Sequence, residues 1–410
     1  MRHGDERFGI ASMNGNMYNV QRRPANGKVR RRQRVTKKGW IIAAVILALY
    51  VALLSCVTYF VLYKPSAGSP RRFIERVTDE NGNEITISHD YETVDGTYNI
   101  LLLGLDREAM LTDVFMLINI NNNTGGITVM QLPRDTYVQS VDGVSTGTNK
   151  INELFADHYL SRQRSGENDP VKPALLDVTS LIEDSLCIDI NYSAIMDLEG
   201  FRNIVDILGG VEIDVPAAMT YYDPAQDLNI NIPAGHQMLD GAAAEGFVRY
   251  RSGYLTADLG RQNAQKIFLV ALFNRMKSSL SITNVSMLTE LAGEISKNLT
   301  TDLSAADIVF FAKSLLSCDL SGINLRTLPG NTNATHYVMN RTAAISALNQ
   351  NYNIYDKEIT NGIFDRNGMF NSDADPSVYE IYYASPDGIF DSNVYNGSDI
   401  NSDSIDIPRR

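Results

Sequence analysis

Three apolar runs separated by short polar breaks set the pattern of the central chain. Residues 100–103 (ILLL) stop at Gly104 and lead to Asp106 and Arg107. A second run follows Asp113, and a third, residues 127–132, ends in Pro133, Arg134 and Asp135. Runs of this length with β-branched residues predict strands. The break NNNTGG between the second and third runs predicts a hairpin, because Asn and Gly tolerate left-handed turn conformations. Spacing of three and four predicts helices over residues 149–164, 174–186, 198–208, 258–277, 286–297, 304–317 and 341–350, with a short one from about Leu239. Gly209 and Gly210 supply a stop signal after the third. Strands are expected at residues 211–215, 247–251 and 323–328, with a short one at 84–88, and a polar loop over 216–237. Intermingled strands and helices place residues 98–355 in one mixed α/β domain. Residues 64–97 read as an extracytoplasmic linker. Residues 356–410, rich in Asn, Asp, Ser and Gly, read as a disordered tail.

A different pattern precedes that domain. Residues 40–63 carry no charge; as a helix they extend roughly 36 Å, enough to cross a bilayer with tilt. Trp40, Tyr59 and Tyr63 stand near the ends, where amphipathic aromatics are favoured. Residues 1–39 are strongly basic, with Arg30, Arg31, Arg32, Arg34, Lys37 and Lys38 just ahead of the apolar run. The positive-inside rule then predicts a single-pass protein of the cytoplasmic membrane, tail inside and domain outside. A nucleic-acid-binding arm is the other use of such a basic run. Topology already accounts for the charge, and the net charge of -12 disfavours nucleic acid as a partner. Cys56 falls in the apolar run. Cys187 and Cys318 are either a disulfide or two buried thiols.

Four groups of residues carry candidate chemistry. Asp106 and Asp113 flank strand ends and can share one sheet edge; two carboxylates with phosphate oxygens suit magnesium, and surface turn aspartates are the plainer alternative. Arg134, beside Asp135, presents a planar fork that matches phosphate, or else a surface ion pair. Arg249 and Arg251, two apart in an expected strand, share a face, with Tyr250 opposite; a charged edge strand is the alternative. Asp258, Arg261 and Gln265 share one helix face, and Asp258 is also placed as an N-cap. Arg261 in a first turn opposes the helix dipole unless an anion is bound. No P-loop, G-x-S-x-G elbow or H-E-x-x-H motif is present, which excludes the readings those motifs carry.

The stretches NILLLGLDRE, TDVFMLININ, ITVMQLPRDTYV, KIN, FRNIVDILGGVEIDVP, LDGAAAEGFVRYR and DLGRQNAQ, in that order, resemble the LytR-CpsA-Psr proteins of Gram-positive cell envelopes. The resemblance implies an α/β domain with a central mixed β-sheet flanked by helices, preceded by a single transmembrane helix. It implies transfer of an anionic glycopolymer, of teichoic acid or capsular polysaccharide type, from a polyprenyl-pyrophosphate carrier to peptidoglycan. The acceptor would be the C6 hydroxyl of N-acetylmuramic acid and the product a phosphodiester. By motif, Asp106 and Asp113 would hold Mg2+. Arg107, Arg134, Arg249, Arg251, Arg261 and Gln265 would bind the pyrophosphate, and Asp258 would orient an arginine or act as base. Asp106, Arg134, Arg249, Arg251 and Asp258 form the expected catalytic set. The chain departs from the family pattern at Ala264 and Leu111, where many members carry Arg, and in the short spacing of Asp106 and Asp113. Two rival readings are a polyprenyl-pyrophosphate phosphohydrolase and a non-catalytic lipid-binding envelope protein.

Overall fold

The computed structural model describes residues 45–48, 50–51, 55, 58–59, 62–106, 110–139, 147–226, 228–254, 258–279, 293, 295–318, 323–332, 335–364, 370 and 395–396. The chain divides into two units, residues 1–58 and 59–410, and the second carries the fold. Among the described residues no helix is long and apolar enough to cross a membrane. The expected span at residues 40–63 lies for the most part outside them.

Residues first read as a linker form an antiparallel hairpin, β1 (Arg71–Thr78) with β2 (Glu84–Tyr91). Its base is held because Phe73 and Tyr91 are buried and meet Tyr355 edge-to-face. The central strands β3 (Thr97–Asp106), β4 (Leu111–Asn121) and β5 (Gly126–Leu132) then run antiparallel. The β4–β5 turn falls on the expected Asn- and Gly-rich break, with Gly125 at φ 70°. Period-two alternation divides these strands between two cores. Leu101, Leu103, Leu105, Phe115, Leu117, Met130 and Leu132 face one way. Met116, Ile118, Ile120, Ile127 and Val129 face the other.

The first face is covered by α1 (Leu154–Arg164) and α2 (Val171–Leu186). Then β6 (Tyr192–Asp197) joins β3 in parallel, and α3 (Leu198–Ile207) follows, its N-terminus capped by Asp197. The stretch first read as a strand and polar loop holds four strands: β7 (Val211–Val215), β8 (Met219–Asp223), β9 (Leu228–Ile232) and β10 (Gly235–Leu239). They pair β7 with β10 and β8 with β9, and with α4 (Gly241–Arg249) and the start of α5 (Asp258–Ser279) they close a separate core. The rest of α5 and α6 (Ala305–Ser317) cover the second sheet face. The expected helix over residues 286–297 lies mostly outside the described residues.

β11 (Thr300–Thr301), β12 (Asn324–Thr327), the hairpin β13 (Gly330–Thr332) and β14 (Tyr337–Met339), α7 (Arg341–Asn351) and β15 (Tyr395–Asn396) complete the element order. The main sheet is mixed and seven-stranded, in the order β11-β6-β3-β4-β5-β12-β15. The core continues past residue 355: Ile359, Ile363, Phe364 and Phe370 are buried in the first cluster, and β15 pairs with β12. Their apolar side chains lie within a polar composition, which masked them in the sequence. Cys187 and Cys318 are both buried thiols, not joined in a disulfide, in the cores on opposite faces of the sheet.

Candidate active site

β3, β4 and β6 end beside the start of α5, and a cavity of ≈ 530 Å³ opens there. Asp106 is the last residue of β3. Asp113 is the third residue of β4 rather than preceding it, because the strand begins at Leu111. The β3–β4 register shifts between Gly104 and Leu105. Gly104 is required at that irregularity: a Cβ there would lie 2.9 Å from the Cβ of Val114. Both carboxylates line the cavity.

The arginines arrive from three places. Arg134 follows β5, in a turn closed by Thr136 N–H donating to the Pro133 carbonyl at 2.9 Å. Lys150 donates to Asp135 at 2.8 Å, and Asn152 N–H donates to the carbonyl of Arg134, so the KIN segment braces the turn. Arg134 donates to Asp113 Oδ1 at 3.1 Å, and Arg261 lies 3.5 Å from Asp113 Oδ2. Asp113 therefore joins the two halves of the site across the fold. Arg261 is almost wholly buried, 4% exposed, so its charge requires an anionic partner. One turn on, Gln265 Oε1 accepts from Gln131 at 2.8 Å and its Nε2 donates to the Val248 carbonyl at 3.3 Å.

Arg249 and Arg251 both line the cavity, but not on a strand. Helix α4 runs through Arg249, and Arg251 lies in the loop beyond. Spacing of four on that helix explains the outcome: Arg249 donates to Glu245 at 2.5 Å. Glu245, buried, also accepts from Arg202 of α3 at 2.5 Å. Tyr250 turns into the core beside Tyr254. Gly260 allows α5 to start against Tyr254, since a Cβ would meet that ring at 2.4 Å. Burial pushes the Tyr254 hydroxyl pKa up, so it stays protonated. Sequence reasoning missed Glu245, Gln131 and Tyr254; the four-residue spacing of Glu245 and Arg249 was the available signal for the first.

Arg107 lies outside the described residues, and Asp258 opens α5 with its side chain outside them. Ala264 is fully buried in the core of β7 to β10, so an arginine there would need different packing. Leu111 opens β4 and is partly buried. Further along β3, β4 and α5 the cavity wall is apolar: Leu102, Met116, Phe268, Leu269 and Leu272. Among the described residues no three His, Cys, Asp or Glu side chains gather as a metal cluster. Asp106 and Asp113 on that cavity are of the hard-oxygen type that magnesium takes, although both oxygens of Asp113 also face arginines, Arg134 and Arg261.

The LytR_cpsA_psr family profile matches residues 66–354. The chain belongs to that family. It is 28% identical over 276 residues to the cell wall biosynthesis protein LcpA of Corynebacterium glutamicum, covering 58% of this chain and 51% of that protein. It is 32% identical over 208 residues to the polyisoprenyl-teichoic acid–peptidoglycan teichoic acid transferase TagU of Oceanobacillus iheyensis, covering 50% and 58%. The chain thus spans little more than half the length of these relatives. The crystal structure of Bacillus subtilis TagV aligns at 22% identity with a TM-score of 0.47, covering 59% of this chain and 89% of that one. The mixed sheet with flanking helices is the fold expected for the family from the sequence.

Proposed function

We propose that the protein is a phosphotransferase that moves an anionic glycopolymer from a polyprenyl-pyrophosphate carrier to peptidoglycan. The observation that carries this reading is the division of one cavity into two chemistries. Asp106, Asp113, Arg249, Arg251 and Arg261 line it at the strand ends, the end of α4 and the first turns of α5, and Leu102, Met116, Phe268, Leu269 and Leu272 line it further along the strands and α5. A ligand that is pyrophosphate at one end and hydrocarbon at the other suits both. The name of TagU supports the same substrate class, and that of LcpA supports a role in cell wall biosynthesis.

In this reading Arg249, Arg251 and Arg261 bind the phosphate oxygens, and Arg134 acts through Asp113. Glu245 aims Arg249 by holding its guanidinium. An acceptor hydroxyl oxygen attacks the phosphorus that carries the glycan; the bond to the bridging oxygen breaks, polyprenyl phosphate leaves, and the hydroxyl proton passes to a base. Such transfers depend on positioning and on neutralising charge, which fixed arginines do without reorganising. Asp106 and Asp113 would hold Mg2+, which when bound supplies further neutralisation of the pyrophosphate. The basic tail and the apolar segment at residues 40–63 support a reading in which the protein is anchored in the cytoplasmic membrane with this domain outside, near a carrier confined to the bilayer.

Mass spectrometry of lipid co-purifying with the full chain tests the ligand class. A polyprenyl phosphate or pyrophosphate is expected; phospholipid alone would count against it. Product analysis with and without peptidoglycan separates transfer from hydrolysis.

A further inference from the structure

A second cavity, of ≈ 550 Å³, lies on the other side of the same strand ends. Its wall includes Met110, Tyr159 and Val171, which pack on the core under α1 and α2, whereas the first cavity opens toward the core under α5 and α6. The two cavities share Leu105 and Asp197. These residues are register partners on the parallel strands β3 and β6. One cross-strand pair is thus the partition between the cavities, and Asp106, which lines the first, is next in the chain.

The two linings differ in kind. The described lining of the first cavity includes three arginines, Arg249, Arg251 and Arg261. Among the described residues the second contains no arginine; its Lys297 stands with two carboxylates, Asp197 and Glu199. Its other polar groups are Asn203, Asn298 and Thr300, with the Tyr159 ring and the apolar side chains of Met110 and Val171. Carboxylates, amides and hydroxyls bind sugar hydroxyls and acetamido groups through both donors and acceptors. A phenol ring offers an apolar face with a polar tip, and the apolar side chains suit an acetamido methyl. Among the described residues a phosphate would find no arginine fork there. The wall is also structurally fixed. Asn203 donates to Asn298 Oδ1 at 2.9 Å, and Gly200 lets the Asn298 carbonyl approach so closely that a Cβ would lie 2.4 Å from it.

We propose that this second cavity is the acceptor subsite, and that it binds a stretch of N-acetylated amino-sugar glycan through its hydroxyl and acetamido groups. The glycan lies on the α1 and α2 side and passes its reacting hydroxyl over Leu105 and Asp197 to the phosphate held by the arginines. The assignment rests on the transferase reading above, and it places donor and acceptor on opposite faces of one sheet.

The test uses the full chain in detergent and, as probe, a tetrasaccharide of alternating N-acetylglucosamine and N-acetylmuramic acid. Hydrogen exchange of residues 197–203 and 295–300 is expected to slow when millimolar tetrasaccharide is added. In a transfer assay, Asn203→Ala and Glu199→Gln are each expected to raise the KM for the tetrasaccharide about fivefold to tenfold, with retention of lipid carrier unchanged. Glu199 is exposed in the first turn of α3, so its isosteric variant keeps the measurement valid if Asn203→Ala fails to fold. Absence of protection at those segments, or an unchanged KM in both variants, overturns the subsite. Protection there, with a wild-type protein that releases phosphate only to water, would overturn the transferase reading and leave the glycan site standing.

Discussion

The two faces of the central sheet are made by alternate residues of the same three strands, yet they are finished differently. Under α1, α2 and α7 the middle of the face is closed, with the second cavity only at its edge beside Leu105: Leu101, Leu103, Phe115, Phe155, Leu175 and Val178 are fully buried. Under α5 and α6 the face is interrupted, and Leu102, Met116 and Leu269 border the cavity that reaches the arginines. Equivalent strand positions thus stabilise on one side and shape a binding space on the other. The difference comes from the helices. α2 lays a row of Ala174, Leu175, Val178 and Ile182 on the sheet, while the first turns of α5 bring Arg261 and Gln265.

The sharpest way to separate the faces is to remove charge from the open one. Arg249→Ala and Arg251→Ala are each expected to lower transfer by about 10²–10³-fold, the scale for a lost charge-stabilising donor. Their melting temperatures should stay within about 2 °C of wild type. Wild-type turnover in both would break the assignment of this face to chemistry. On the closed face the expectation reverses. Leu175→Ala should cost about 3–5 kcal/mol in denaturant unfolding, because full burial leaves a new void. The same substitution at Leu269, which borders an existing cavity, should cost only about 2 kcal/mol. Equal losses at the two positions would show that the open face is packed as tightly as the closed one.

The smallest effect concerns pH. Glu183, on α2, has its pKa pushed up to about 7 by burial, with Asp189 and Asp184 adding to the rise against a hydrogen bond from Ile190 N–H and the charge of Arg71. Its folded pKa exceeds the unfolded value, so its contribution is fully present below about pH 4.5 and is lost as pH rises through about 7. Glu183→Gln keeps an acceptor for Ile190 and removes the charge. It should raise stability at pH 8 by on the order of 2 kcal/mol and by little at pH 5. A gain independent of pH, read from melting curves at both, would refute the burial cause.

Much of this contrast is written in short-range patterns. The alternation of β3 to β5 and the NNNTGG turn specify the central hairpins without tertiary help. The apolar row of α2 and the long α5 are equally plain. Residues 216–239 are less so. Leu228, Ile230 and Ile232 do alternate with Asn229 and Asn231, but asparagine lowers strand propensity and conceals the period. At residues 247–251 the period favoured a strand, and Glu245 pairing with Arg249 one turn away keeps the chain helical. The site was legible as residue types, since acid and arginine stand at apolar run ends. Its closure was not: Asp113 meeting both Arg134 and Arg261 depends on contacts between residues 148 positions apart in the second case. Only the fold supplies those.

The two buried thiols give each half of the molecule its own reporter. Cys187 ends α2 within the closed core and Cys318 ends α6 within the other, so among the described residues no disulfide ties one layer to the next. With Cys56 replaced by Ser, a thiol reagent reaches each cysteine only when its own layer opens. Labelling rates at the two positions would clock the loosening of the sheet's two sides separately, without an added probe site.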